Sequence, residues 1–355
     1  FKLLEWSGVH ARTLLPVGVI VAFFMPESGT FFKPAAPYIL ALLVSVAMLR
    51  LNILAVLKDA VQPRRLVRNI CLALVLLIVT PYCLHSIATV AGLREALQTL
   101  ITWYAVSPPI GTTIWMCIFL GFSAPIAMEI VLLTNLLAPF TGPFMGEMLL
   151  GAAVPLSAMT LSLRLGAILF GGILLAVLAK WWLGDERIHT YRSRFDGIAT
   201  ILLLAFLVPV FDGVRTMVLA APLMALALAG LATALNFGHQ ACVFIAGHMF
   251  ALMRRHPTLP DGTRSVAVVA GNRNLGLYFA ALPADPLFSL FVAAYQIPIY
   301  LTLWLPAGLV IGTRVVTIRV NKVADATSKT YSCSVLFELK PFLTVVCERA
   351  DYSHG

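Results

Sequence analysis

Charge is what this sequence lacks. Only 12% of its 355 residues are Asp, Glu, Lys or Arg, while 60% are hydrophobic. Soluble domains carry about 25% charge and about 45–50% apolar residues, so a cytosolic enzyme and a disordered chain are both excluded. Acidic residues are the scarcer sign, 16 against 25 cations, for a formal charge of +9. That excess does not point to nucleic acid: the cations fall in gaps between long apolar runs instead of gathering on one amphipathic face. Six cysteines are present, with neither disulfide nor metal spacing. Cys71, Cys83, Cys117 and Cys242 lie inside apolar runs, where cysteine behaves as a small hydrophobe. The spans contain no HExxH, no paired helical carboxylates and no Ser/His constellation, which leaves intramembrane hydrolysis without support and predicts a protein that is not an enzyme. No cofactor pattern is present.

What the chain has instead is span-length apolar sequence. A bilayer crossing takes about 20 apolar residues. The runs that qualify are 14–27, 37–57, 69–91, 97–121, 124–145, 158–183, 197–212, 216–253, 265–283 and 287–311. The first has no small-residue cleavage site after it and opens a series of spans, so it is expected to be a helix, not a signal peptide. The run 216–253 fits one tilted helix with a lead-in, or two short spans. Charge decides between them. With the N-terminus and its Lys2 and Arg12 inside, ten spans place Lys58, Arg64, Arg65, Arg68, Lys180, Arg187, Arg192, Arg194, Arg254, Arg255, Arg264, Arg314, Arg319 and Lys322 on the cytoplasmic side. The opposite loops keep Lys33, Arg94 and Arg215. The positive-inside rule therefore predicts an all-α cell-membrane protein of ten spans, both termini cytoplasmic. Residues 1–312 form the membrane domain, and 313–355 are read as a polar cytoplasmic tail, in part disordered, with one apolar patch at Val335 to Phe337.

Five spans cover about 14–145 and five more about 158–311, an odd number that forces the halves into opposite orientations. The fourth span of each half is interrupted. Ser107-Pro108-Pro109-Ile110-Gly111-Thr112-Thr113 breaks one, and Gly271-Asn272-Arg273-Asn274-Leu275-Gly276 breaks the other. Adjacent prolines remove helix hydrogen bonds, and an Asn-rich stretch bracketed by Gly disfavours a helix interior. Paired breaks in corresponding places point to inverted repeats with a binding site at the midplane. Proline kinks and glycines are also common in ordinary membrane helices, but here both breaks fall on the same element of each half. Broken backbone at that depth must be buried in protein or line a cavity.

Two charges lie deep in spans. Glu129 sits about two turns into the fifth and Arg273 inside the broken ninth, whereas Arg50 and Arg164 lie nearer helix ends and can snorkel. A lone charge at a span centre costs at least about 2.5–3.5 kcal/mol, so each should face a partner or a cavity. Arg273 is read either as an anion-binding or cation-substituting group at the crossing, or as a structural partner of Glu129 or of a helix carbonyl. His85, His239 and His248 are read as hydrogen-bonded packing residues before a proton relay. Trp103, Trp181, Trp182 and Trp304 fall mostly near span ends, as interfacial anchors do.

The stretch Ser123-Ala-Pro-Ile-Ala-Met-Glu-Ile-Val-Leu-Leu-Thr-Asn-Leu-Leu-Ala-Pro139-Phe-Thr-Gly-Pro143 resembles the fifth helix of the bile acid:sodium symporter family. Gly271-Asn-Arg-Asn-Leu-Gly-Leu277 resembles that family's Gly-x-x-Asn-x-Gly-Leu in its second crossing helix. With the five-plus-five layout, the resemblance spans about residues 14–311. It implies a panel domain plus a core domain in which spans four and nine cross, and alternating-access transport of a small organic anion across the bilayer. The site candidates are then Thr112, Thr113, Glu129, Asn135, Asn272, Arg273 and Asn274, with Pro108, Pro109, Gly111, Gly271 and Gly276 shaping the breaks. The sequence departs from the family's sodium sites. Val269 stands where an acidic ligand is expected, Arg273 where a Gln is, Thr113 and Ile114 where a Ser-Asn pair is, and Ala127 and Val131 at the hydroxyl positions of the fifth span. This suggests that Arg273 supplies as a fixed charge what bound sodium supplies elsewhere. Two other readings stand beside a sodium-independent carrier. One is a sodium-coupled symporter using Asn272, Asn274, Thr112 and backbone carbonyls. The other is a non-transporting receptor of the same fold that signals through 313–355. No repeated filter or ring of charges suggests a channel.

Overall fold

A computed structural model of the chain describes residues 2–27, 31–49, 62–253 and 261–302, with two short strands further on. Arg50, Lys58, Arg254, Arg255, Trp304, Arg314, Arg319 and Lys322, and the ends of the expected spans 37–57 and 287–311, lie outside the described residues. Two compact units are present, residues 1–303 and 304–355. The first is helical. In chain order its helices are α1 (Lys2–Val9), α2 (Ala11–Phe24), α3 (Ala36–Leu49), α4 (Pro63–Val90), α5 (Glu95–Val106), α6 (Thr113–Phe119), α7 (Ala124–Leu150) and α8 (Ala158–Leu183). There follow α9 (Asp185–Thr190), α10 (Arg192–Phe211), α11 (Val214–Ala220), α12 (Pro222–Met253), α13 (Asp261–Gly271), α14 (Leu275–Ala281) and α15 (Pro286–Thr302). In the second unit, β1 (Ser332–Val335) and β2 (Val345–Glu348) pair antiparallel with Ser332 opposite Glu348. A short hairpin thus occupies part of a segment whose composition suggests no regular element.

Five of these helices, α4, α7, α8, α10 and α12, are long and apolar enough to cross a bilayer, or six spans if α1 and α2 count as one bent element. Helices α3 and α15 are apolar but shorter, 14 and 17 residues. The ambiguous run 216–253 is one long helix, α12, with α11 as its lead-in; Pro222 at the first turn of α12 sets the boundary, because proline is tolerated there and not further in. Large side chains such as Leu163, Leu174, Val177, Leu178, Trp181 and Trp182 on α8 face outward. An apolar exterior on that scale suits a bilayer and would be an aggregation surface in water.

The packing has a pattern. Helix α2 lies on α10 and α3 on α8; α4 lies on α5 and α7, while α12 lies on α13 and α15. The buried core centres on α5, α7, α13, α14 and α15, with Trp103, Tyr104, Ile130, Tyr278, Phe291 and Tyr295 among its fully packed side chains. The α3–α8 approach is close because α8 presents Gly172 there: a Cβ at that position would meet the Ala41 carbonyl oxygen at 2.6 Å and Val44 Cβ at 2.8 Å. Both neighbours belong to the body of α3, so they cannot swing aside. Gly172→Val is therefore expected to cost about 1–3 kcal/mol by overpacking, read as a lower melting temperature in detergent. An unchanged melting temperature would contradict this helix contact.

Candidate functional site

Each broken span ends one half-helix and starts another: α5 stops at Val106 and α6 starts at Thr113, while α13 stops at Gly271 and α14 starts at Leu275. The two gaps meet. Pro109 and Arg273 face each other as an antiparallel β-bridge. The Ile110 N–H donates to the Asn272 carbonyl at 3.0 Å, and the Asn274 N–H donates to the Pro108 carbonyl at 2.7 Å. Backbone groups freed by one break are thereby satisfied by the other, as low-dielectric surroundings require. Proline makes this possible on one side: Pro108 and Pro109 have no N–H to satisfy and still offer carbonyls, and the Pro109 carbonyl accepts from Asn135 Nδ2 at 3.1 Å. On the other side Gly271 lets the chain pass close to α12, where a Cβ would meet the Asn236 carbonyl oxygen at 2.5 Å.

Arg273 fills the junction and is wholly buried. Its Nε donates to the Ala270 carbonyl at 2.8 Å, and Nη1 donates to the carbonyls of Ser107 at 3.0 Å and Leu76 at 3.3 Å. Those three oxygens come from α13, the end of α5 and α4. The third is offered where α4 takes a π-helical turn, Val75–Val79, just before Pro81, which brings no N–H to the carbonyls a turn earlier. Nη2 is buried without a hydrogen-bond partner, and no carboxylate pairs with Arg273 among the described residues. Of the structural partners considered from sequence, helix carbonyls are the ones it has.

Glu129 is elsewhere. Its carboxylate is 3% exposed and accepts from Arg65 at 3.4 Å, from Arg68, and from Asn69 Nδ2 at 2.8 Å. Of the alternatives for Arg273, a Glu129 pairing is not the one present: Glu129 belongs to a cluster joining the starts of α4 and α7. The reason is that α4 begins at Pro63, so cations that read as loop residues sit on its first turns.

The remaining candidates divide. Thr112, Asn135, Asn274, Gly111 and Gly276 line one cavity of about 350 Å³, bounded by α2, α3, α8 and α10 on one side and α6, α7, α14 and α15 on the other. Its walls are otherwise largely apolar, including Leu40, Val44, Leu169, Leu203 and Phe206, with Asp196, Arg273 and Tyr295 as further polar members. Thr113 and Asn272 turn away: the Thr113 hydroxyl donates to the Ile110 carbonyl at 2.7 Å, and Asn272 Nδ2 donates to the Val268 carbonyl at 2.8 Å. His85 and His239 approach hydroxyls of Thr102 and Tyr104 at 3.0 and 3.3 Å, a packing arrangement, whereas His248 is exposed on α12.

A second polar layer around the junction has no signature in the apolar pattern. The Tyr295 hydroxyl accepts from the Arg273 N–H at 2.9 Å and donates to the Gly271 carbonyl, which also accepts from Asn236 Nδ2 at 2.9 Å. Asn236 Nδ2 also reaches Asn272 Oδ1 at 3.2 Å, and Gln240 donates to Asn236 Oδ1 at 2.7 Å and to Thr302 at 3.3 Å. Tyr104 donates to the Leu235 carbonyl at 2.9 Å. The available signal was helical spacing: Asn236 and Gln240 are four apart on α12, and Tyr295 and Thr302 seven apart on α15, each pair on one face. Among the described residues no group of His, Cys, Asp or Glu could hold a metal ion. No family model matches this sequence, and a search of curated proteins finds no significant match.

The Glu129 cluster makes an asymmetric prediction. Arg65→Gln with Arg68→Gln strands a buried carboxylate and is expected to cost about 3 kcal/mol or more. Glu129→Gln leaves cations that are 41% and 38% exposed and can turn to water, so it should cost clearly less. Melting curves of both variants check the ranking; the reverse order would contradict it.

Proposed function

We propose that this chain is a secondary carrier of a small organic anion, built as two inverted five-span repeats of the bile acid:sodium symporter kind and working without sodium. The observation that carries the reading is the meeting of two broken helices, one from each half, beside a cavity of about 350 Å³. Interrupted helices facing one another at a cavity are the usual substrate-site architecture of inverted-repeat carriers.

Helix packing supports the repeat. Exchange α2, α3, α4, α5–α6 and α7 with α8, α10, α12, α13–α14 and α15 in that order. The α2–α10 contact then becomes α8–α3, α4–α7 becomes α12–α15, and α4–α5 becomes α12–α13, all of which are present. On this reading α2, α3, α8 and α10 are the panel and the remaining spans the core, and rocking one against the other exposes the cavity alternately. On this reading the first turns of α4 and α10, which carry Arg65, Arg68, Arg192 and Arg194, face the cytoplasm by the positive-inside rule.

The absence of sodium follows from charge and ligands. Val269, Ala127, Val131 and Ile114, at positions where the family resemblance expects oxygen ligands, are buried and apolar. Three carbonyl oxygens that could hold a cation already hold the Arg273 guanidinium. Its fixed charge then does what a bound cation would: it holds the crossing together and sets a cation beside a cavity whose lining also includes Asp196.

The test is uptake into proteoliposomes of a panel of small carboxylates and sulfate conjugates, with sodium or choline outside. Saturable uptake of at least one anion, equal in the two salts, is expected. Uptake that requires sodium would overturn the sodium-free mechanism. No uptake of any anion, with binding retained and signalling lost on removal of 313–355, would favour a receptor.

A further inference from the structure

The two half-helices meet the cavity unequally. From α6 it is lined by residues along its whole length, Thr112, Trp115 and Phe119; from α14 only the first turn, Leu275 and Gly276, reaches it. Beyond that turn α14 packs against α3 and α8, and Phe279 is buried. Phe279 lies six residues after the bridge residue Arg273, as Trp115 lies six after its partner Pro109, so the two rings hold equivalent places.

Two cations sit on the packed end. Lys33, just before α3, places Nζ 5.2 Å from the centroid of the Phe279 ring. Arg164, on α8, donates from Nη1 to the Ala281 carbonyl at 2.9 Å. That carbonyl is among the last of α14 and has no partner within its own helix. Neither contact is needed to build α14, and each ties it to a helix on the other side of the cavity. On the α6 side the corresponding ring, Trp115, has Arg192 of α10 at 5.1 Å and lines the cavity.

We propose that Lys33 and Arg164 form a latch that keeps the α14 end of the cavity shut, and that its release opens that end. This rests on the carrier reading above. Cation–π and cation–carbonyl contacts at partly exposed side chains suit the task, since each is weak enough to break in turnover and two together bias the equilibrium. Once released, both cations would line the newly opened mouth and draw anions to it.

The test places a reporter behind the latch. Ala281 is buried, and Ala281→Cys, in the full chain with the six native cysteines replaced, is labelled with a bulky polar maleimide in nanodiscs. Lys33→Gln with Arg164→Gln is expected to raise the labelling rate by about tenfold or more, while Lys33→Arg with Arg164→Lys labels as slowly as the unaltered latch. Equal rates in the Gln pair and the unaltered protein would overturn the proposal. If the Gln pair is not monodisperse, Phe279→Leu, which removes the ring alone, serves the same comparison. Anion uptake by the wild-type chain separates the two readings. Uptake with no labelling contrast rejects the latch and keeps the carrier; a labelling contrast without uptake rejects the carrier and keeps a gated cavity.

Discussion

The fold depends on a guanidinium held by backbone. Two helices stop at the middle of the bundle, and the groups they leave unpaired would each cost several kcal/mol in hydrocarbon. Part of that demand is met by exchange between the breaks, through the Ile110–Asn272 and Asn274–Pro108 hydrogen bonds. The carbonyls that remain converge from three helices, and Arg273 donates to them. Remove the cation and three carbonyl dipoles face one another across a buried space; remove the carbonyls and a buried charge has nothing to solvate it. Each makes the other tolerable.

This dependence explains the second layer. The Gly271 carbonyl ends α13 next to the guanidinium and takes hydrogen bonds from Tyr295 and Asn236. The hydroxyl of Tyr295 in turn receives the Arg273 N–H. Polar side chains on α12 and α15 thus anchor the break, Asn236 and Gln240 away from the cavity and Tyr295 at its wall, where Thr112, Asn135 and Asn274 also stand. Such an anchored crossing suits the carrier proposed above, in which it would stay intact while helices across the cavity move. Lys33 and Arg164, by contrast, reach across that division.

Much of this was legible in the sequence where the signal was apolar length or helix-breaking chemistry. The run 158–183 coincides with α8, and the two interruptions fall where the Pro-Pro and Gly-Asn-Arg-Asn stretches stand. Less could be read where one partner is backbone. The carbonyls of Leu76, Ser107 and Ala270 carry no side-chain signature, so nothing in the pattern assigned them to Arg273. The partners of Glu129 are not legible because Arg65 and Arg68 read as loop cations, although a proline at 63 can start a helix and place them on its first turns. Gln240 and Thr302 each look like an isolated polar residue in an apolar run; only the crossing of α12 and α15 behind the break makes them neighbours.

The most direct test of the central claim compares melting of the wild-type protein and Arg273→Gln in sodium chloride and in matched choline chloride. A ligand that binds only the folded state stabilises it by RT ln(1 + [L]/Kd), about 2.7 kcal/mol at a hundredfold excess. If Arg273 is the resident cation, the wild type melts at the same temperature in both salts, and Arg273→Gln is destabilised in choline and regains part of the loss in sodium. A sodium-specific stabilisation of the wild type would contradict the account, as would an Arg273→Gln protein as stable as the wild type in choline.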